Sequence, residues 1–203
     1  MSEAVPRCLV ESRQGVEHIA HVVAVMREFA RAGEQQASRQ ALNELIRSAV
    51  AVTRGQWHQV AELELQLEET LPAIDCVAIA IKQVVLCALM NAVRALARGL
   101  NAGDKGVLRI RTFHDPLGWV GLEISDNGRG IDGELVQRAL SPALGERLDD
   151  DVAQGLAHTR HVIVERHGGQ LEMSSTASGT MLSIRLPVPA DGQHSHSSIK
   201  SVG

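Results

Sequence analysis

The feature that most constrains the fold of this chain is the segment 77–96, which is apolar around almost the whole circumference of a helix. Such a helix must be buried on most sides. Its polar side chains follow one another at steps of four, four and three residues, so they share one stripe: Gln83, Cys87, Asn91 and Arg94. A buried polar group without a partner costs roughly 1–3 kcal/mol. The stripe must therefore face a partner, water or a ligand.

Alternation of apolar and polar side chains predicts the strands of one sheet. In the segment 119–125, Val120, Leu122 and Ile124 point to the same face, and the parity places Asp126 on that inward side. Asp126 stands where the strand ends in NGRG. The other predicted strands are 61–67, 107–113, 170–175 and 180–187.

Helical spacing alternates with these strands along the chain. The order predicts an α/β fold: a two-layer sandwich of helices on a mixed, mostly antiparallel sheet, preceded by a helical segment. We expect a helical dimerisation-type segment at 1–38, an α/β domain at 39–190 and a disordered polar tail at 191–203. The predicted helices are 16–30, 42–55, 77–96, 132–140 and 155–167.

Composition narrows the function classes. Hydrophobic residues make up 44 % of the 203-residue chain and charged residues 22 %, as in soluble globular proteins. No uninterrupted apolar stretch reaches the roughly 20 residues of a membrane span, so no membrane-spanning helix is expected. A net charge of -4 and only four aromatic residues disfavour nucleic-acid binding. Three cysteines (Cys8, Cys76, Cys87) without CxxC spacing indicate a reducing, cytoplasmic location.

Four motifs follow one another between residues 83 and 187: QVVLCALMNAVRAL, ISDNGRGI, GLAHTRHVIVERHGGQLEM and SGTMLSIRLP. In order and spacing they resemble the N box, the first glycine box, the helix and HGG turn, and the last strand of sensor histidine kinase catalytic domains. The resemblance covers roughly residues 12–188. It implies the Bergerat ATPase fold, shared with gyrase and MutL-type ATPases. The helix at 16–30 is similar to part of the kinase dimerisation hairpin.

The resemblance implies that the chain binds ATP or ADP together with Mg²⁺. On the phosphate side, Asn91 would ligate the Mg²⁺ that bridges the phosphates, a role that suits an amide oxygen. Arg94 would contact phosphate oxygens. Gly155 would present the N-terminus of a helix to phosphate, where free N–H groups favour anions.

On the base side, the resemblance implies that Asp126 accepts a hydrogen bond from the adenine amine. Gly128 and Gly130 would form the floor beside the base, and Ile131 would pack on it. Thr180 would support Asp126 through water. An inward carboxylate followed by two glycines also suits adenine recognition on chemical grounds, although a simple turn after a strand has the same pattern.

The chain departs from the family pattern on the phosphate side. Cys87 stands where a second asparagine is usual, and a thiol is a poor Mg²⁺ ligand. The second glycine box is degenerate: DVAQGL keeps one glycine of three, Gly155, and follows two further aspartates, Asp149 and Asp150. Negative charge here repels a triphosphate. Neither His18 nor His21 lies in a recognisable phosphoacceptor motif.

Two functions remain open. The first is the ATP-binding catalytic domain of a two-component sensor histidine kinase, which transfers the γ-phosphoryl of ATP to a histidine outside any motif in this chain. The alternative is a degenerate kinase-like module with weak or no ATP use that acts as a regulatory binding partner. An anti-sigma-type serine kinase is disfavoured by the early helix and the HGG segment. Expected partners are a response regulator or a partner kinase helix, and a second copy bound through 16–30.

The helix at 16–30 carries two apolar stripes, one more than a surface helix needs. We predict that it pairs with a second copy or a partner helix, because an exposed apolar patch of this kind marks an interaction surface. The double variant Val22→Glu, Val25→Glu should be monomeric in light scattering. A parent protein that is already a monodisperse monomer without a partner would show the prediction to be wrong.

Overall fold

The computed structural model describes residues 36–101, 103–141 and 151–189. The chain divides into two compact units, Met1–Gln36 and Ala37–Gly203. The predicted helix at 16–30, the aspartates at 149 and 150 and the tail at 191–203 lie outside the described residues.

The second unit contains a five-stranded sheet, whose strands are β2 (Ala61–Gln66), β4 (Gly106–Asp115), β5 (Trp119–Asp126), β6 (Gln170–Thr176) and β7 (Gly179–Pro187). They lie side by side in the order β2-β4-β5-β7-β6. Strand β2 runs parallel to β4, and the other neighbours are antiparallel, so the predicted mixed, mostly antiparallel sheet is confirmed.

Two short strands were not predicted. Strand β1 (Ser38–Gln40) pairs antiparallel with β3 (Ile74–Cys76) in a separate two-stranded sheet. Each has only three residues, which is too few for an alternating pattern to stand out.

The helices cover one face of the large sheet. The predicted long helix is confirmed as α3 (Ala78–Gly99), and α1 (Leu42–Val52) packs beside it. A single helical turn, α2 (Arg54–Trp57), lies between α1 and α3 in the chain, and α4 (Gly133–Leu140) comes after β5. Helix α5 (Asp151–Arg160) continues into a π-helical segment, His161–Arg166.

The core lies between α3 and the inner face of the sheet. Val84, Val85 and Leu89 of α3 are completely buried, as are Leu108 and Ile110 of β4. By length and composition α3 is the one helix among the described residues that could cross a membrane, but most of it is packed inside this domain. Its apolar circumference is thus explained by burial in the core.

His167 ties the end of the π-helical segment to the start of α3. The Val77 backbone N–H donates to His167 Nε2 at 3.1 Å, and Nδ1 lies 2.7 Å from the Val162 carbonyl oxygen. An amide only donates and a carbonyl only accepts, so the ring must be neutral with its proton on Nδ1. Burial lowers the pKa of His167 below its ordinary value, partly offset by the bond to Val162.

We predict that this link makes the fold sensitive to acid. Because the pKa of His167 is lower in the folded state, the unfolded chain takes up the proton first, and stability is lost as pH falls below 6.5. At pH 7.5, His167→Ala should lower the free energy of unfolding by roughly 1–3 kcal/mol, the worth of two hydrogen bonds. Its loss of stability between pH 7.5 and 5 should also be smaller than that of the parent.

Urea unfolding at several pH values measures both effects. His114→Ala is the matched control, because His114 is exposed on β4. Equal pH dependence in the parent and in His167→Ala would contradict the assignment.

Candidate functional site

A central cavity lies between α3 and the inner face of the sheet. Its volume is about 30 Å³, enough for one or two water molecules. Helix α5 closes it on one side. The lining side chains come from α3, β5, the loop after β5, α5, β6 and β7: Ala88, Asn91, Ala92, Ala95, Ile124, Asp126, Ile131, Leu156, Thr159, Met173, Thr180 and Leu182.

Asp126 is the acidic group of this cavity. It is the last residue of β5, opposite Thr180 of β7, and follows the buried Ile124 on the inward face as predicted. Its Oδ1 accepts a hydrogen bond from the Gly128 backbone N–H at 2.9 Å. Burial raises the pKa of Asp126, while backbone hydrogen bonds from Gly128 and Thr180 act in the opposite direction. A carboxylate has about four acceptor positions, so capacity remains for a donor in the cavity.

The glycines after β5 allow the loop to pass between α3 and the β6–β7 hairpin. A Cβ on Gly128 would lie 2.6 Å from the backbone of Ala95 in α3. A Cβ on Gly130 would overlap the carbonyl oxygen of Thr176. Both glycines therefore serve close backbone packing, and neither lines the cavity. In this structure these two glycines therefore do not form the floor of the cavity that the resemblance implies for the base.

The loop then places Ile131 in the cavity. The Ile131 backbone N–H donates to Ser175 Oγ at 2.7 Å, and this hydroxyl lies 3.4 Å from Thr180 Oγ1. The hairpin and the loop are thus joined beside Asp126, and both Ile131 and Thr180 line the cavity.

Only part of the polar stripe of α3 faces the cavity. Asn91 lines the cavity, whereas Arg94 does not. Burial raises the pKa of the Cys87 thiol on the same stripe, and Thr159 and the Arg94 charge lower it in part. Asn91 Nδ2 lies 3.9 Å from Cys87 Sγ.

The expectation that Gly155 begins a helix is wrong. Helix α5 begins at Asp151, so Gly155 is its fifth residue. A Cβ on Gly155 would lie only 2.5 Å from Cys87 Sγ. The glycine thus brings α5 against α3, and its own N–H lies within the helix instead of at a free end. Ala153, where a glycine is expected, is fully buried.

Sequence reasoning missed the contribution of α5. Leu156 and Thr159, three residues apart on one helix face, are nearly fully buried and line the cavity. The signal was their helical spacing, which lies within the predicted helix 155–167. What the sequence does not show is that this helix face packs toward Asp126. Thr159 Oγ1 donates to the Gly155 carbonyl at 2.9 Å, which holds this turn.

Of the eight predicted site residues, four meet at the cavity: Asn91, Asp126, Ile131 and Thr180. The other four do not line it: Arg94, Gly128, Gly130 and Gly155. Among the described residues no group of three His, Cys, Asp or Glu side chains could hold a metal. Of the stripe residues only Asn91 lines the cavity, where its amide oxygen is a hard ligand. Mg²⁺ is commonly held by one or two protein oxygens, substrate phosphates and water. The donor set fits a metal that arrives with a nucleotide.

The fold is a mixed sheet covered by helices, and the candidate site lies between the long helix and the sheet. This combination defines a class of protein. Residues 76–190 match the family model described as "Histidine kinase-, DNA gyrase B-, and HSP90-like ATPase". The match spans more than half of the chain, which therefore belongs to this family. Within this family, the chain contains an ATP-binding catalytic domain of the histidine kinase type.

Known proteins agree with this assignment. The C4-dicarboxylate transport sensor protein DctS of Rhodobacter capsulatus is 25 % identical over 173 residues, which are 84 % of this chain and 26 % of DctS. The catalytic domain of histidine kinase ThkA has a TM-score of 0.61 at 21 % identity, covering 75 % of this chain and 96 % of that domain. ThkA in complex with the response regulator TrrA gives 0.67 at 19 % identity, covering 95 % and 54 %.

We predict that Gly130→Ala lowers the free energy of unfolding by roughly 1–3 kcal/mol, because its Cβ forces the loop away from Thr176. Gly133→Ala is the matched control, since nothing lies within 4 Å of its Cβ. That variant should be neutral or more stable by up to about 1 kcal/mol. Denaturant unfolding compares the two, and equal stabilities would contradict the packing assigned to Gly130.

Proposed function

We propose that this chain is the ATP-binding part of a two-component sensor kinase that delivers the γ-phosphoryl group of ATP, with Mg²⁺, to a histidine outside the described domain. The observation that carries the proposal is the placement of Asp126 and Asn91 on opposite walls of one cavity. The chain spans about a quarter of its sensor-kinase relatives DctS and DctB, so the activity of the whole protein is part of the proposal.

The base side of the site supports adenine recognition. Asp126 supplies an acceptor that neighbouring backbone N–H groups already orient, and Ile131 with Leu182 supplies apolar surface for the ring. An exocyclic amine that donates to a partly buried carboxylate gains a charge-assisted hydrogen bond, which is stronger than one between neutral groups. Adenine carries such an amine, whereas guanine presents a carbonyl oxygen there.

The phosphate side supports Mg²⁺-dependent binding. Asn91 would hold the metal through its amide oxygen, and Arg94, three residues further along α3, would meet phosphate oxygens. Bound Mg²⁺ neutralises phosphate charge during transfer. The chain's own residues position the nucleotide and exclude water. The accepting histidine is not assigned to any residue of this chain.

A second function is favoured by the conformation of α5. A helix that occupies the place expected for a glycine-rich loop and fills the site with Leu156 and Thr159 suits a regulatory module with weak nucleotide use. Titration with Mg-ADP and Mg-ATP separates the two functions. A kinase must bind both, while the regulatory module binds neither appreciably.

The proposal includes partners. ThkA, a structural neighbour, forms a complex with the response regulator TrrA, and we extend a regulator of this kind to this chain. The proposal also includes association of two copies through the segment 16–30, which is predicted to be helical, and a cytoplasmic location. The location is supported by the free cysteines Cys76 and Cys87, as expected in a reducing compartment.

We predict that Asp126→Asn weakens Mg-ADP binding by roughly 1–3 kcal/mol, because an amide replaces the charged acceptor beside the adenine amine. Isothermal titration calorimetry measures the change. Asp132→Asn is a closely matched control: Asp132 Oδ1 accepts from the Glu134 N–H two residues on, as Asp126 does from Gly128, but Asp132 is exposed. Equal affinities in the parent and in Asp126→Asn would remove the adenine assignment.

A further inference from the structure

We propose that His161 accepts a phosphoryl group from a donor outside the nucleotide site of this chain. The donor is an activated phosphoryl group on a partner protein, either an acyl phosphate of aspartate or a phosphoramidate of histidine. The contact between the His161 ring and the Glu165 carboxylate carries the inference. The site goes beyond the proposed function, because it is separate from the histidine that receives the γ-phosphoryl group of ATP.

The π-helical segment His161–Arg166 places one carboxylate beside two basic side chains. His161 Nδ1 lies 2.7 Å from Glu165 Oε2, and Arg160 Nη1 donates to Glu165 Oε1. On an α-helix only side chains three or four residues apart are neighbours. A π-helix bonds residue i to i+5 and so also brings Arg160 alongside Glu165. Such turns are rare in proteins and are frequent at functional sites.

The contact with Glu165 determines which ring nitrogen can react. A carboxylate only accepts hydrogen bonds, so the neutral His161 ring carries its proton on Nδ1 and its lone pair on Nε2. Hydrogen bonds from His161 and Arg160 lower the pKa of Glu165, so this group is ionised at neutral pH. The His161 side chain is 57 % exposed, and a partner can therefore approach Nε2 from solvent.

The other described histidines lack this combination. His158 and His167 are partly buried, and both ring nitrogens of His167 are engaged with backbone groups. His58 and His114 are exposed, but neither ring forms an ion pair with a carboxylate of the described residues. Within the described part of the chain, His161 is thus the exposed histidine whose reactive nitrogen is set by a carboxylate.

The transfer step needs no base. The Nε2 lone pair attacks phosphorus and forms an N–P bond, while the bond from phosphorus to the donor oxygen or nitrogen breaks and its electron pair leaves with the donor. The leaving group is a carboxylate in one case and a neutral imidazole in the other. The Nδ1 proton stays on His161. Positive charge develops on the ring, and the Glu165 carboxylate stabilises it.

The donor must lie outside the nucleotide site of this chain. Thr159 and Ile163 are buried on the inner face of this helix, and Thr159 lines the cavity. Residues two apart on a helix do not face the same side, so His161 faces away from the cavity. A nucleotide held between Asp126 and Asn91 is therefore separated from His161 by the helix itself.

Incubation of the full chain with acetyl phosphate or with potassium phosphoramidate provides the test, because the two reagents represent the two donor classes. Mass spectrometry locates the phosphoryl group, and phosphorus NMR distinguishes Nε2-phosphohistidine from the Nδ1 isomer. We expect one or both reagents to label His161 at Nε2 about tenfold or more faster than His114, which corresponds to a barrier lower by about 1.4 kcal/mol. The reagent that labels faster identifies the donor class.

Glu165→Gln tests the carboxylate, because it keeps the size of the side chain and removes its charge. It should slow labelling of His161 about tenfold or more and leave labelling of His114 unchanged. Nitrogen NMR of the unlabelled protein should show a smaller share of the tautomer with its proton on Nδ1, since an amide can donate as well as accept. Glu172→Gln, at an exposed glutamate of β6, is the matched control.

Three results would overturn the proposal. The first is labelling of His161 by both reagents no faster than that of His114, and the second is a rate unchanged in Glu165→Gln. The third is labelling by Mg-ATP alone that is lost in Asp126→Asn, because the nucleotide site would then be the donor. None of the reagent experiments requires nucleotide binding, so failure of this proposal is distinguishable from failure of the proposed function.

Discussion

The packing of α3 on the inner face of the sheet is the interaction on which the rest of the structure depends. Val84, Val85 and Leu89 belong to one buried apolar cluster with the strand residues Leu108 and Ile110. Burial of each such side chain contributes roughly 1.5–3 kcal/mol. Because this core fixes both the helix and the ends of the strands, it also fixes the distance between Asn91 and Asp126 across the cavity. Site and core are two parts of one interface.

The positions on the strands could be predicted because their period is short and simple. Ile124 is buried, so Asp126, two residues on, must face the same side, and the structure places it there. On α3 the helical period made the prediction less exact. Asn91 lines the cavity, but Ala95, four residues later, continues the lining, whereas Arg94 is three residues later and lies to one side. Small deviations in angle decide which side chain faces a ligand.

Tertiary contacts account for what the sequence did not predict. The resemblance implied that Gly155 begins a helix, yet it lies inside α5, where Cys87 occupies the space of its missing side chain. Ala153 stands where the second glycine box of the family has a glycine, and it is buried in the core. Likewise, Gly128 and Gly130 allow close backbone approach, but toward α3 and the hairpin. No local pattern identifies the partner in such contacts.

The most direct test of the account is a structure determined with Mg²⁺ and ADP bound. We expect the adenine ring between α3 and the sheet, with its exocyclic amine about 3 Å from a carboxylate oxygen of Asp126. The metal should lie beside the amide oxygen of Asn91. Nucleotide bound elsewhere, or bound with its adenine amine away from Asp126, would contradict this assignment.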